Sequence, residues 1–113
     1  DIELPSYKAM LEMMGGHAGE RMPKAQAIKD ATMAYFIQKN SRPNHIFLHL
    51  NGTYHSDLYE GIFWYLKQQN AKMRILTIAT VTKAHSLSFD PKDKNKADFI
   101  LVIDEDVTKS YAQ

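Results

Sequence analysis

His45-Ile46-Phe47-Leu48-His49-Leu50 is a short, nearly continuous apolar run closed by Asn51-Gly52. It decides the fold class, because a strand that is apolar on both faces belongs in a parallel sheet covered on both sides. Two runs of the same kind follow, Arg74-Ile75-Leu76-Thr77-Ile78-Ala79-Thr80-Val81 and Asp98-Phe99-Ile100-Leu101-Val102-Ile103. Between the first two, Leu58, Ile62, Tyr65, Leu66 and Gln69 recur at helical spacing. Ser56 or Asp57 is placed to cap that helix, and Glu60 three residues beyond Asp57 imitates a capping box. Strand, helix, strand at this spacing is a βαβ unit with parallel strands and a right-handed crossover. The expectation is therefore an α/β fold: a three-layer-like parallel sheet core of three strands with flanking helices. Leu48, Ile62, Leu66, Ile78 and Leu101 should be deeply buried in it.

Upstream, the clearest helix runs from Pro23 to about Lys39. Pro23 suits a first turn, and Ala27, Ile28, Ala31, Ala34 and Tyr35 fall on one face. Asn40-Ser41-Arg42-Pro43-Asn44 breaks it. A shorter helix spans Ser6 to Met14, with Ser6 as N-cap and Gly15-Gly16 as terminator. Downstream, residues 82–97 read as a long surface loop, and the charge run from Asp90 to Lys96 as its solvated face.

The 113 residues allow one domain. A formal charge of +1 with acids and bases mixed along the chain gives no basic stripe for nucleic acid. With no cysteine, disulfides, thiolate metal sites and cysteine catalysis are excluded. No apolar run approaches the ~18 residues of a membrane helix. The start, Asp1-Ile2-Glu3-Leu4-Pro5, has neither an initiator Met nor the pattern of a signal peptide, so the chain reads as a piece of something longer.

Ligands of open parallel sheets gather at the carboxyl ends of the strands. That rule selects Asn51–Asp57 and, less strongly, Thr82–His85. In the first, Gly52 is read as the residue that turns sharply off the strand. Tyr54 and His55 then stand just before a helix N-terminus, and both residue types ligate haem iron. The competing reading makes Gly52 a plain turn residue and His55 a hydrogen-bonded helix-start residue. His49 reads as a satisfied core histidine. His45 sits at the wrong end of its strand, and His85 has no partner in sequence. His17 lies in a Gly-rich loop beside Met13 and Met14, a cluster suited to an apolar ligand or to core packing. Asp30, Gln26 and Met33 form a stripe opposite the apolar face of the long helix and, by residue type alone, read as solvated. No Walker A loop, GxGxxG fingerprint, HExxH helix or nucleophile elbow is present.

Taken together, these segments resemble a known family. Ala25-Gln26-Ala27-Ile28-Lys29-Asp30-Ala31-Thr32-Met33-Ala34 is similar to the Gln-x-x-(Arg/Lys)-Asp-x-x-Met-Ala helix of the ChaN-like proteins. Gly52-Thr53-Tyr54-His55 matches their Gly-x-x-His motif, and Ala97-Asp98-Phe99 the start of their last strand. The likeness runs from about Met22 to Ile103, and the order and spacing of the motifs carry it. It implies that residues 1–113 are the C-terminal portion of a single ChaN-like α/β domain whose N-terminal half is missing. It implies a non-catalytic haem-binding lipoprotein of bacterial iron uptake, held in the cell envelope by a lipid anchor absent from this chain. Gly52, Tyr54, His55, Gln26, Asp30, Met33 and His17 would face the haem, with the iron ligand open among Tyr54, His55 and His17. The alternatives are a divalent-metal hydrolase, since the wider Tiki and erythromycin-esterase-like superfamily includes hydrolytic members, or an inactive folded fragment. A half-domain with an uncovered sheet edge should also self-associate as a homodimer.

Overall fold

The computed structural model describes residues 2–13, 21–84 and 88–107. In chain order it contains α1 (Pro5–Met13), α2 (Arg21–Asn40), short 3-10 turns at Thr53–His55 and Asp57–Tyr59, α3 (Ile62–Gln69), β1 (Ile78–Lys83), a 3-10 turn at Pro91–Asp93, and β2 (Phe99–Asp104). Two compact units result, Asp1–Ile75 and Leu76–Gln113. The class is α/β with a parallel strand pair, as the periodicity requires. No helix among the described residues is long and apolar enough to cross a membrane.

In the first unit, α2 buries Pro23, Ala27, Asp30, Ala34 and Ile37, a stripe at alternating spacings of four and three residues. This corrects the face expected from residue types: Ile28 and Tyr35 are exposed, and Asp30 sits in the middle of the buried stripe. Burying a carboxylate is costly unless it is paired, which is why composition assigns an aspartate to the outside. Ala34 and Ile37 pack with Ile62 and Leu66 of α3, and Met33, Tyr65, Met73 and Ile75 close around them. Ile62 and Leu66 are buried as expected.

The helix expected from Asp57 begins only at Ile62. Leu58, Tyr59 and Gly61 take φ of 60°, 61° and 55°, and a right-handed helix does not propagate through left-handed residues. The Asp57–Glu60 relation is a backbone turn, Glu60 N–H to Asp57 O at 3.2 Å, Ser56 makes no side-chain cap bond, and the N-cap position of α3 is held by Gly61, which has no side chain to cap with. Ser6 does not cap α1 either. Its Oγ is buried with no partner among the described residues, and its backbone N–H donates instead to Glu60 Oε2 at 2.7 Å. Gly15 and Gly16 lie outside the described residues.

Residues 45–50 form no strand, and Leu48 is 77% exposed. An extended segment becomes a strand only through a ladder partner, and among the described residues the ladder is made by β1 and β2 alone. His49 is not the satisfied core histidine expected: its Nε2 is buried with no partner among the described residues.

In the second unit, β1 and β2 pair in parallel from Ile78↔Phe99 to Lys83↔Asp104. The strands alternate rather than being covered on both faces. Ala79 and Val81 are buried, whereas Ile78 is 58% and Leu101 54% exposed, against expectation. A reciprocal clasp starts the pair: Thr77 N–H and Oγ1 donate to Asp98 Oδ2 at 2.7 and 2.9 Å, and Asp98 N–H to Thr77 Oγ1 at 3.0 Å.

The charge run between the strands is not mere solvation. Asp90 accepts from Lys92 N–H at 3.0 Å and so caps the Pro91–Asp93 turn. Lys83 Nζ of β1 reaches Asp93 Oδ2 at 2.5 Å and Asp90 Oδ2 at 3.4 Å, and Lys96 Nζ reaches Asp93 Oδ1 at 3.0 Å. Asp93 is almost wholly buried. Hydrogen bonds from the Lys92 backbone and side chain hold the Asp90 carboxyl at about 2. Those from Lys83 and Lys96 hold Asp93 below the usual range.

Folded carboxyls below their unfolded value of about 3.9 contribute stability that is present above that value and lost as pH falls toward about 2. Amide exchange followed across β1 and β2 should therefore accelerate between those two points. Lys83→Met should weaken protection at neutral pH and flatten the part of the acid dependence that Asp93 carries; an unchanged pH profile in that variant would remove the Lys83–Asp93 pair from the account.

Candidate ligand site around Asp30 and His55

Asp30 projects from the buried stripe of α2 and is wholly buried. Each carboxylate oxygen receives one donor. Tyr7 of α1 donates its hydroxyl to Oδ2 at 2.5 Å, and His55 Nδ1 lies 2.5 Å from Oδ1. Tyr7 is itself wholly buried. Burial first, then the hydrogen bond to Asp30, pushes its phenol far above the ordinary range, so it remains a neutral donor.

The imidazole tautomer follows from donor counting. An ionised carboxylate only accepts, so Nδ1 of a neutral His55 must carry the hydrogen, leaving Nε2 with its lone pair. The Gln26 amide nitrogen sits 2.8 Å from Nδ1 but cannot donate to a nitrogen that is already a donor. Its hydrogens are left with Tyr54 O and His55 Nε2, both at 3.4 Å. These are long contacts that an incoming ligand would displace at small cost.

His55 reaches Asp30 because the loop folds tightly there. His55 N–H bonds Gly52 O at 3.0 Å within the Thr53–His55 turn. Gly52 is extended, φ −71°, so the sharp turn expected of it is not made there. Gly61 is the glycine the geometry requires. Its φ is +55°, and a Cβ built on it would overlap the His55 carbonyl oxygen and lie 3.0 Å from Asp30 Oδ2.

A groove of about 390 Å³ opens beside this cluster, within the size range of small-molecule sites. Met10 and Met13 of α1 and Met22 of α2 supply much of its wall; Gln26, Gly52, Thr53, Tyr54 and His55 supply the rest. Of the residues singled out in the sequence, Gln26, Asp30, Gly52, Tyr54 and His55 are thus brought together. Met33 packs against the helical core instead, and His17 lies outside the described residues. Among those residues, no three His, Cys, Asp or Glu side chains converge as a metal site.

Sequence reasoning missed Tyr7 and Gly61. Tyr7 carries no local signal, being 23 positions from its partner. Gly61 did carry one, because a glycine inside a helical pattern costs about 1 kcal/mol relative to alanine and often marks a break.

A family profile described as "Haem-binding uptake, Tiki superfamily, ChaN" matches residues 2–66 of the chain. The matched span takes in the Ala25–Ala34 segment and Gly52–His55, while Ala97–Phe99 falls beyond it. No curated protein and no solved structure matches.

Gly61→Ala should destabilise the first unit by more than about 1 kcal/mol, since both the positive φ and the overlap oppose it. Gly52→Ala, with ordinary φ and only a van der Waals contact between the added carbon and the His55 ring at 4.0 Å, should melt near wild type. Denaturant unfolding of the two variants checks this; equal stability would mean that the backbone at Gly61 relaxes freely.

Proposed function

Because the chain belongs to the ChaN family of haem-binding uptake proteins in the Tiki superfamily, we propose that it binds haem without turning it over. The single observation that carries this reading is the state of His55. Its Nδ1 is held by a wholly buried carboxylate, and the residue lines a groove walled by methionines. Metal-ligating histidines characteristically donate their other ring N–H to a carboxylate or carbonyl, which fixes the tautomer and raises the basicity of the ligating nitrogen. Haem supplies an iron that accepts imidazole or phenolate and a flat apolar ring.

The residues present fit such a group. Met10, Met13 and Met22 offer polarizable apolar contact. His55 offers Nε2, and Tyr54, on the same groove and more than half exposed, offers the competing phenolic oxygen. Tyr7 is ruled out as a ligand by its neutral, buried hydroxyl. We place the protein in bacterial iron uptake at the cell envelope, as a lipid-anchored protein. A divalent-metal hydrolase gains no support from the donors that converge here.

Self-association belongs to the same reading. Ile46, Leu48 and Leu50 are exposed in the first unit, and Ile78, Phe99 and Leu101 share one uncovered face of the β1–β2 pair. Exposed apolar surface and open strand edges favour a second copy.

Titration of the chain with haem, followed by absorbance, tests the assignment. Wild type should saturate at one haem per chain. His55→Ala should bind roughly tenfold or more weakly with a changed Soret band. Wild-type affinity in His55→Ala together with loss of binding in Tyr54→Phe would move the ligand to Tyr54; no saturable binding by wild type would end the haem reading.

A further inference from the structure

None of the motifs quoted from the sequence includes Tyr7. Yet it is among the most buried side chains of the described residues, and its hydroxyl donates to the carboxylate behind His55. We propose that Tyr7 is a positioning residue. Through Asp30 it holds His55 as the Nδ1–H tautomer and keeps Nε2 unprotonated. The purpose of this arrangement rests on the haem reading above; the arrangement itself does not.

The argument starts from the two oxygens of Asp30. A buried carboxylate is stable only when its lone pairs find donors. His55 serves Oδ1 and Tyr7 serves Oδ2, each at 2.5 Å. If the Tyr7 hydroxyl is removed, Oδ2 becomes a buried acceptor without its donor. The carboxylate then rotates toward another donor and loses its Oδ1 contact with the ring. That change weakens the demand that Nδ1 carry the hydrogen, and a neutral imidazole is then free to carry it at Nε2 instead. A hydrogen on Nε2 occupies the lone pair that a metal ion needs.

The position of Tyr7 is set independently of this bond. The next residue back, Ser6, donates its backbone N–H to Glu60 Oε2 at 2.7 Å. Glu60 directly precedes Gly61, whose backbone lies against the His55 carbonyl and Asp30 Oδ2. The start of α1 is therefore tied to the same loop that carries His55. Removing only the hydroxyl, as in Tyr7→Phe, keeps the ring and this tie, so packing and hydrogen bonding separate in one substitution.

The test is a comparison of wild type and Tyr7→Phe by long-range ¹H–¹⁵N correlation of the His55 ring, in the ligand-free chain at about pH 8.5, above the ordinary imidazole range. Wild type should show a protonated Nδ1 and an unprotonated Nε2. Tyr7→Phe, with unchanged far-UV circular dichroism, should show substantial Nε2–H tautomer, and its haem affinity should fall 10- to 100-fold as expected for loss of an outer-shell partner. A merely structural Tyr7 would lower the melting temperature and leave the ring nitrogens as they are, and that result overturns the proposal. If Tyr7→Phe does not fold, wild type still decides: an exchange-protected Tyr7 hydroxyl proton is required, and its absence overturns the proposal equally. Should wild type take up no haem, the functional reading fails, while the ring-nitrogen comparison still judges the role of Tyr7.

Discussion

The pairing of Asp30 with two donors, the Tyr7 hydroxyl and the His55 ring, is the constraint on which the first unit depends. A carboxylate with no exposure to water is tolerated only because Tyr7 and His55 take one oxygen each. These bonds connect three separate pieces of chain: α1, α2 and the turn at Thr53–His55. None of the three could be moved without orphaning a buried polar atom, so the polar cluster specifies their arrangement in a way that the small apolar core of Ala34, Ile37, Ile62 and Leu66 does not.

The loop that delivers His55 is irregular for a related reason. A continuous helix from Asp57 would carry its regular hydrogen bonds but would not bring the His55 carbonyl against Gly61. The chain instead passes through left-handed conformations at Leu58, Tyr59 and Gly61. At Leu58 and Tyr59 this is strain, since side chains with a Cβ are disfavoured there; at Gly61 it is not. Strain of this kind persists where surrounding contacts over-determine the backbone. The Ser6–Glu60 bond, the His55–Asp30 bond and the close approach of Gly61 are such contacts.

The parallel α/β class was legible in the sequence because periodicity reports local chain direction, and β1, β2 and α2 all lie close to where it places them. Leu48, Ile78 and Leu101 were misjudged because apolar character reports a preference for burial, not the presence of a partner to supply it. For the site, His55, Asp30 and Gln26 could be reached through motif spacing. Tyr7 could not, because its partner is distant in sequence and its residue type is ordinary for a helix interior. Gly61 was overlooked through the wrong period: once Leu58 through Gln69 was taken as one helix, its glycine became an imperfection instead of a hinge.

The two units each bury an aspartate, and the contrast between them locates the chemistry. Asp93 is met by the ammonium groups of Lys83 and Lys96, so its charge is cancelled on the spot and its role is to hold the loop. Asp30 is met by a phenol and an imidazole, donors that satisfy its hydrogen bonds. Its field is accordingly felt by its neighbours: Tyr7 and Tyr65 are both pushed upward, by burial first and by Asp30 next. A wholly buried carboxylate is costly to keep for stability alone, since a well-packed apolar residue would serve as well. It becomes useful where positive charge is to be supported one atom further out, on the far side of the His55 ring. If His55 is the ligand of the proposed haem, the iron would be held there, and this is the reason to seek function at Asp30 and not at the more conspicuous charge run of the second unit.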